Sequence, residues 1–390
     1  MAVTPETKIL EFVERGLLKD ASAAIDDRPD CSRSLRVLRV RLEAHVGSPF
    51  TARDQAQNFL KQNLSLTEKA GCLEVIGRVS LSVGESTTGL RAMRQAVAFA
   101  REAGDELLET RLLARLVEAL LLWVGIEQAA TEIPNLRRAA FHVGDAYSVI
   151  AWHGLVAEIQ GKRRLLAQAA ASIDTARGLL RRFENVWQQG RIANTSAAVS
   201  VFQSDYEKAL ASTNEALRCA ERTGSRELWV PALGNLAHIK LAQQAVEGAR
   251  TALDRLSEAV RKGGTAEIAA KDIQMQVALS QGDIEMATVL ANETQSLSKD
   301  LENGRSYHGL WNLLTQVRWL YLTGQSESGV ALALQAIQRI DHAGDGNLLE
   351  RMKLLAAEGL GRVGRAEEGD RKSTRLNSSH SDLSRMPSSA

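Results

Sequence analysis

Aromatic, amide, imidazole and guanidinium side chains stand within stretches of this sequence that are otherwise dominated by alanine and leucine. Amide groups at such positions can hydrogen-bond an extended peptide or a small effector. A polar side chain buried without a partner costs free energy, so its presence in such a stretch favours a solvent-lined groove. Trp152 and Trp311 could instead fill gaps between neighbouring helices. The candidates for the binding surface are Trp152, His153, Asn194, Asn235, His238, Gln274, Trp311, Asn312 and Arg318.

Residues that could carry out catalysis are hard to find in the sequence. Gly154 to Lys162 has the two glycines and the lysine of a phosphate-binding loop, but six residues separate the glycines instead of four, and Arg163 replaces Ser or Thr. The histidines do not pair at i, i+4 spacing or beside a cysteine, so metal binding is not expected. No nucleophile elbow and no HExxH motif is present. We therefore expect a non-enzymatic protein without a cofactor.

Composition favours helices and excludes several partners. Hydrophobic residues make up 44% of the 390 residues, aromatic residues only 4%, and the chain has six prolines. Without residues 370–390 the chain has 44 basic and 45 acidic residues, so it is not expected to bind nucleic acid. The most apolar stretch, Leu116–Gly125, is too short to cross a membrane. The cysteines Cys31, Cys72 and Cys219 are far apart, which indicates reduced core thiols and a cytoplasmic location.

Glycines recur with a period of forty residues, which predicts a repeat architecture. One series ends a helical run in each unit and consists of Gly104, Gly144, Gly224, Gly264, Gly304 and Gly344. A second series lies about half a period away and consists of Gly84, Gly125, Gly161, Gly282, Gly324 and Gly364. Glycine tolerates the left-handed backbone that often follows a helix. Each unit is therefore predicted to contain helix A, a tight turn, helix B and a second tight turn.

Small and apolar residues form columns at the same period. Eight residues before the main glycine position lie Ala96, Leu136, Ala176, Ala216, Leu256 and Ala336, and a parallel column lies four residues before it. The i, i+4 spacing places both columns on one face of helix B. In the unit that ends at Gly304, Leu297 and Leu301 continue the columns after a one-residue shift. Each helix pair is therefore expected to pack mainly against its neighbours.

Two segments resemble a known repeat. Leu233–Gln243 (LGNLAHIKLAQ) is similar to helix A of a tetratricopeptide repeat, and Tyr206–Gly224 is similar to the matching helix B, with alanines at Ala209 and Ala216. The period is closer to the ~40–47 residues of HEAT and armadillo repeats than to the usual ~34. The proline and Asp/Arg punctuation of HEAT repeats is absent, however, which favours the tetratricopeptide group.

The resemblance implies an all-α protein, an α-solenoid of stacked antiparallel helix pairs. Helix A lines the concave surface of such superhelices, and this surface would carry the candidate residues. Tetratricopeptide-like arrays with units near forty residues are typical of large bacterial transcriptional regulators. The chain resembles the sensor region of MalT-like, LuxR-type regulators, and similar arrays adjoin sigma-54-dependent activators.

The last residues, 370–390, differ from everything before them. Asp370–His380 and Ser384–Ala390 can be encoded by the sequence of a common short-read library adapter, with residues 381–383 in place of its index. We interpret this tail as adapter read-through and not as a functional segment. The expected organisation is then N-terminal helical hairpins over 1–64, a repeat array over 65–369 that is truncated in its last repeat, and a non-native disordered tail over 370–390.

These observations lead to one expected function and one alternative. The expected function is that of a cytoplasmic sensor module, which binds a protein, a peptide or a small effector in its groove. It would belong to a bacterial transcriptional regulator whose effector domain is missing. The alternative is a stand-alone adaptor that scaffolds other proteins.

Overall fold

A computed structural model describes residues 5–27, 32–260, 264–300 and 306–365. All regular elements in these ranges are α-helices, which confirms the predicted all-α class. Cys31, Leu301, Gly304 and the tail over 370–390 lie outside the described residues, so the expectations about them stay predictions. No helix in the described ranges is both long and apolar enough to span a membrane.

The helices follow one another through short turns. They are α1 (Pro5–Glu14), α2 (Leu18–Asp26), α3 (Arg33–Val46), α4 (Pro49–Leu60), α5 (Leu66–Ser82), α6 (Ser86–Glu102), α7 (Glu106–Trp123), α8 (Ile126–Val143), α9 (Ala146–Lys162), α10 (Leu166–Leu180), α11 (Val186–Phe202), α12 (Tyr206–Thr223), α13 (Arg226–Ala242), α14 (Val246–Ala259), α15 (Thr265–Gln281), α16 (Ile284–Asp300), α17 (Tyr307–Leu322), α18 (Ser326–Ala343) and α19 (Gly346–Arg362). Odd-numbered helices are the A helices of the pairs, and even-numbered helices are the B helices.

The turn between α8 and α9 shows why the sequence breaks where it does. Gly144 ends α8 with φ +68°, and its N–H bonds to the carbonyl of Ala140. The next residue, Asp145, caps α9 by accepting a hydrogen bond from the N–H of Ser148 at 3.1 Å. A Gly-Asp pair therefore closes one helix and opens the next within two residues, which keeps the helices antiparallel and adjacent.

Three glycines of the predicted series have a different role. Gly125 is the N-cap of α8, with φ +130° and ψ 172°, which lies outside the left-handed helical region. Gly264 is the N-cap of α15, with φ −106°, and does not terminate the preceding helix in a left-handed conformation. Gly161 lies inside α9, because this helix continues to Lys162, and the left-handed residue of that turn is Arg164 with φ +64°. Ser204 and Gln244, one and two periods later, adopt the same conformation. The left-handed turn between helix A and helix B is therefore repeated in these units although none of the three residues is a glycine.

The helix B column confirms the predicted packing. Its six members, from Ala96 to Ala336, are at most 1% exposed. Alanine at most of these positions lets neighbouring helices approach closely, so each pair is sealed against the next by small side chains. Cys72 and Cys219 are buried free thiols, as predicted.

The superhelix closes on itself. Helices ten positions apart in the chain touch each other, namely α2 with α12, α3 with α13, α7 with α17 and α9 with α19. An apolar core that includes Ile9, Leu17 and Leu228 joins α1–α3 to α11–α13. The backbone N–H of Val186 also donates to the carbonyl of Arg15 at 2.9 Å. Five helix pairs therefore complete one turn, and the A helices of that turn face one another across a narrow interior.

Candidate binding surface

The A helices turn one stripe of side chains toward the interior of the superhelix, at i, i+3 and i+4 spacing. We call this stripe the inner face. It contains few alanines and many long polar or aromatic residues, which meet across helices far apart in the chain. Its members include His45, Glu74, Arg78, Arg111, Arg115, Glu118, Tyr147, Glu158, Lys162, Trp187, Arg191, Glu227, His238, Tyr307, Trp311, Arg318 and Arg351.

The N-terminal half of the inner face is a network of ion pairs, which we call the central ion cluster (His45, Glu74, Arg78, Arg115, Glu118, Trp187, Arg191 and Glu227). Arg78 Nε donates to Glu227 Oε1 at 2.9 Å. His45 Nδ1 lies 3.2 Å from Glu227 Oε2, while Arg78 Nη1 lies 2.9 Å from His45 Nε2. An arginine cannot accept a hydrogen bond, so the proton of a neutral His45 is on Nδ1 and points to Glu227.

Burial and the neighbouring arginines together set the protonation states in this cluster. Burial and the charge of the Arg78 guanidinium lower the pKa of His45 to about 4, although Glu227 acts to raise it. Burial alone would raise the pKa of Glu74, but Arg41, whose Nε lies 2.7 Å away, and Arg78 outweigh it and hold that pKa at about 2. At neutral pH His45 is therefore neutral, and Glu74 and Glu227, whose pKa is also held low by Arg78, are charged.

Trp187 fills the middle of the central ion cluster. The guanidinium carbons of Arg115 and Arg191 lie 4.3 and 5.2 Å from the centroid of its ring. Its Nε1 donates a hydrogen bond to Ser225 Oγ at 3.3 Å. Arg191 also reaches Glu118 at 3.0 Å. The charges here are paired with one another, so this half of the inner face holds the superhelix closed.

The C-terminal half of the inner face is organised differently. His238, Trp311, Arg318 and Arg351 form what we call the C-terminal chamber. The His238 ring lies 5.7 Å from the Trp311 ring, and the Arg351 guanidinium carbon lies 5.3 Å from the same ring. The half-buried residues of the chamber are His238, Trp311 and Arg351, while Arg318 is exposed. Burial and the nearby Arg351 charge lower the pKa of His238 to about 4.

A seam between α9 and the last two A helices, α17 and α19, lies next to the chamber, since the ring centroids of Tyr307 and Trp311 are 6.1 Å apart. Lys162 Nζ lies 3.0 Å from the centre of the Tyr307 ring and 3.9 Å from Asp345 Oδ2, and the side chains of both Lys162 and Asp345 are 5% exposed. Burial lowers the pKa of Lys162 against the opposing charges of Asp345 and Glu158. The lysine that resembled part of a phosphate-binding loop is thus occupied within the fold.

The structure brings two of the predicted site residues together, His238 and Trp311, and places Arg318 on the same face of α17 as Trp311. Asn235 and Gln274 are half-buried residues of α13 and α15. Trp152 packs on the outer helix α8, where its ring centroid lies 5.7 Å from that of Phe141. The His153 ring makes an edge-to-face contact with the Trp152 ring.

Two predicted residues make contacts within the helix stack. Asn312 is 1% exposed and donates to Asp272 Oδ1 at 2.9 Å, while Gln276 donates to the other carboxylate oxygen at 2.7 Å. Asn194 donates to the carbonyl of Leu228 at 3.3 Å and so links α11 to α13. These amides connect neighbouring A helices.

Arg351, Tyr307 and the charged residues of the central ion cluster were not among the predicted site residues. A signal for part of this set exists in the sequence, because Arg111, Arg191, Lys271 and Arg351 are separated by multiples of forty residues. A basic residue that recurs at the same position of helix A indicates that this position faces the interior of the superhelix. Among the residues that the structure describes, no group of three or more His, Cys, Asp or Glu side chains could hold a metal ion.

Comparisons with known proteins support the fold. No protein-family profile matches the sequence, and no curated protein matches it. Among solved structures, a Rap protein complexed with Competence and Sporulation Factor has a TM-score of 0.61 at 13% identity, over 89% of this chain and 98% of that chain. The Cut9–Hcn1 hetero-tetramer of APC/C has a TM-score of 0.52 at 14% identity, over 76% of this chain and 55% of that chain.

A third similar structure is a STAND protein with a tetratricopeptide repeat sensor from Pyrococcus horikoshii, at 14% identity over 88% of this chain and 55% of that chain. Its TM-score is 0.40. The first two similarities and the helix packing together establish that this chain has the fold of a tetratricopeptide-like α-solenoid.

Proposed function

We propose that this chain is a non-catalytic protein-interaction module, which binds an extended segment of a peptide or protein on the C-terminal half of its inner face. The observation that carries the proposal is the C-terminal chamber. There, His238 of α13, Trp311 of α17 and Arg351 of α19 meet on one concave surface and remain partly accessible to solvent. An aromatic ring flanked by hydrogen-bond donors is suited to anchoring a peptide side chain and its backbone.

The similar fold of a Rap protein that is complexed with a factor supports the same proposal. Binding would change the packing of A helices that already touch across the interior, so that occupancy of the chamber alters the outer surface. A small effector in the chamber would act through the same helices.

A random peptide library displayed on phage, selected against the purified chain, tests the proposal. Selected peptides are expected to lose about tenfold or more in affinity when Trp311→Ala removes the central ring of the chamber. The matched control is Phe141→Ala, because Phe141 is a 55% exposed aromatic residue on the outer helix α8. Peptides that bind both variants as well as the unchanged chain would contradict the proposal.

The finer part of the proposal is that this module is the cytoplasmic sensor region of a bacterial transcriptional regulator of the LuxR/MalT or sigma-54-dependent type. It depends on the resemblance of the repeats. Sequencing the source DNA beyond the codon for Gly369 tests it: coding sequence for an ATPase or helix-turn-helix domain supports the regulator. A stop codon within one or two further repeats supports a stand-alone adaptor.

A further inference from the structure

The superhelix closes at two places that differ in their chemistry. The first closure joins α1–α3 to α11–α13 through an apolar core, which includes Ile9, Leu17 and Leu228. The second closure is the seam, where α9 contacts α19, and beside it α7 contacts α17. The buried apolar residues on the two sides of the seam belong to separate clusters, one within α3–α9 and one within α17–α19. In the described part of the chain, the seam is therefore not closed by a shared apolar core.

Turns and helix ends bring the two sides of the seam together. A Cβ atom added at Gly125, just before α8, would lie 3.0 Å from the carbonyl oxygen of Ala343, at the end of α18. A Cβ atom added at Gly346, in the first turn of α19, would lie 3.6 Å from the carbonyl oxygen of Lys162, at the end of α9. The two sides therefore meet through main chain at their turns, with little side-chain volume between them.

Charged groups in the seam are destabilised by their burial. The side chains of Lys162 and Asp345 are each 5% exposed, yet 3.9 Å separates Nζ from Oδ2, which is longer than a hydrogen bond. Burial lowers the pKa of Lys162 and raises the pKa of Asp345 and of Glu158, although the opposite charges act in the other direction. Each of these shifts favours the neutral form, so the attraction between the charges does not offset the loss of their hydration.

The central ion cluster behaves in the opposite way. There Arg78 holds the pKa of Glu227 well below its ordinary value, even though burial acts to raise it. A lowered pKa means that the folded surroundings favour the charged carboxylate. Because Glu227 of α13 also contacts His45 of α3, these charges stabilise the first closure. The charges of the seam, in contrast, become more stable when water reaches them.

We propose that the seam is a reversible latch, at which α17–α19 move away from α7–α9 while the first closure stays intact. Small changes in rotation, distributed over the repeats between α9 and α17, part the two sides while every helix stays folded. The core of α17–α19 includes Leu310, Val330 and Leu348, all within these three helices, so the movement does not break it. The inference concerns the chain without a ligand and does not depend on the proposed function.

Opening of the latch would also change the C-terminal chamber. Tyr307 belongs to the seam, because Lys162 Nζ lies 3.0 Å from the centre of its ring. The same ring borders the chamber, because its centroid lies 6.1 Å from that of Trp311. Movement of α17 away from α9 separates Tyr307 from Lys162, so the latch controls access to the chamber from the side of α9.

Chemical modification of two buried side chains tests the latch in the unchanged chain. Acetic anhydride modifies the amine of Lys162, and iodoacetamide modifies the thiol of Cys219, which is 5% exposed in the apolar core of the first closure. Mass spectrometry measures both rates in the native and in the urea-unfolded chain, and the ratio of the two rates gives the protection of each site. We expect Lys162 to be protected at least about tenfold less than Cys219. A smaller difference would overturn the inference.

Two further measurements separate opening of the latch from penetration of the reagent and from global unfolding. A bulky biotin ester should give the same protection of Lys162 as acetic anhydride, because an open seam admits both reagents. Protection of Lys162 should also change little at urea concentrations below the unfolding transition, since a movement of folded helices exposes little new surface. Protection that is more than about threefold higher against the ester, or that falls steeply with urea, would count against the latch.

Asp345→Asn and a matched control test the role of the charges. Asparagine can still cap α19, where Asp345 accepts from the N–H of Leu348 at 2.9 Å, but the anion beside Lys162 is lost. Modification of Lys162 should then become about tenfold faster or more, since a buried ammonium without its partner favours the open seam. Asp105→Asn makes the same change at the N-cap of α7, where Asp105 accepts from the N–H of Leu108 at 3.0 Å, and should leave the rate unchanged.

The outcomes of the two variants are distinct. No acceleration in Asp345→Asn, or equal acceleration in Asp105→Asn, would contradict a latch held by these charges. Thermal melting shows that each variant is folded. If Asp345→Asn does not fold, the comparison of Lys162 with Cys219 in the unchanged chain decides the inference.

Discussion

Arg78 of α5 donates its Nε hydrogen to Glu227 of α13 at 2.9 Å, across 149 residues of sequence. Arg115 and His45 approach the same carboxylate at 3.7 and 3.2 Å. One glutamate therefore connects α3, α5 and α7 of the first superhelical turn to α13, where the turn closes.

We expect Glu227→Gln to destabilise the chain, because it leaves Arg78 and Arg115 close together without their shared anion. Breaking a fully buried pair costs about 3–5 kcal/mol, and we expect about 2 kcal/mol here because 34% of the Glu227 side chain is exposed. Urea unfolding measures the loss. Glu221→Gln, on an exposed part of α12, should change the unfolding free energy by less than about 0.5 kcal/mol. Equal losses in both variants would contradict a specific role for Glu227.

The stability of the central ion cluster should depend on pH through His45. The folded-state pKa of His45 is about 4, below its ordinary value of 6.5. As the pH falls below 6.5, the unfolded chain binds a proton that the folded chain binds only near pH 4, so the unfolding free energy decreases across that window. His45→Gln removes this contribution, and its stability relative to the unchanged chain should therefore rise as the pH falls from 6.5 to 4. A flat difference curve from urea titrations at several pH values would refute this.

Two glycines of α19 should respond in opposite directions to alanine. A Cβ atom at Gly359 would overlap Tyr321 Oη, whose hydroxyl donates to the carbonyl of Leu355, whereas a Cβ at Gly361 meets nothing within 4 Å. We expect Gly359→Ala to cost about 1–3 kcal/mol by overpacking. Gly361→Ala should gain about 0.5 kcal/mol, since alanine favours the helix. Thermal melting of the two variants tests both signs, and a stabilising Gly359→Ala would mean that α17 and α19 are not packed this closely.

Asn312→Ala should affect stability and leave ligand binding unchanged. Asn312 donates to the buried carboxyl of Asp272, so its loss should cost about 1–3 kcal/mol. Asn235→Ala, at a half-buried position of α13, should cost less than about 0.5 kcal/mol. Chemical denaturation measures both costs, and calorimetry with a library-selected peptide measures binding. A folded Asn312→Ala chain that no longer binds the peptide would place Asn312 in the binding site.

The repeat architecture was predictable from the sequence because the residues that pack within each repeat recur at the repeat period. The column from Ala96 to Ala336 and the turn at Gly144 are local features, set by residues within one helix pair and its neighbour. The non-glycine turn at Arg164 was missed because arginine rarely adopts the left-handed conformation, so its residue type gives no sign of the turn.

The closure of the superhelix could not be predicted from periodicity. A small rotation between neighbouring pairs must accumulate over four steps, from α5 to α13, before Arg78 meets Glu227, and the sequence period does not encode that rotation. Arg351 of α19 contacts Trp311 of the preceding A helix, and its forty-residue spacing from Trp311 indicated this, but the approach of His238 from α13 to the same ring depends on the rotation between repeats. Partners on the inner face come from different turns of the chain, and only the folded geometry brings them together.

The contacts between helices ten positions apart change how this protein unfolds. In an ordinary solenoid each repeat is stabilised only by its two neighbours, so the two ends can unfold independently of each other. Here α9 contacts α19, α7 contacts α17, and α3 contacts α13, so part of the contact free energy joins segments that are about half the chain length apart. Such distant contacts slow folding, because the intervening segment must be ordered first. They also join the two ends to the middle in one cooperative unit, so that a lesion in the last helix pair is felt at the centre of the molecule.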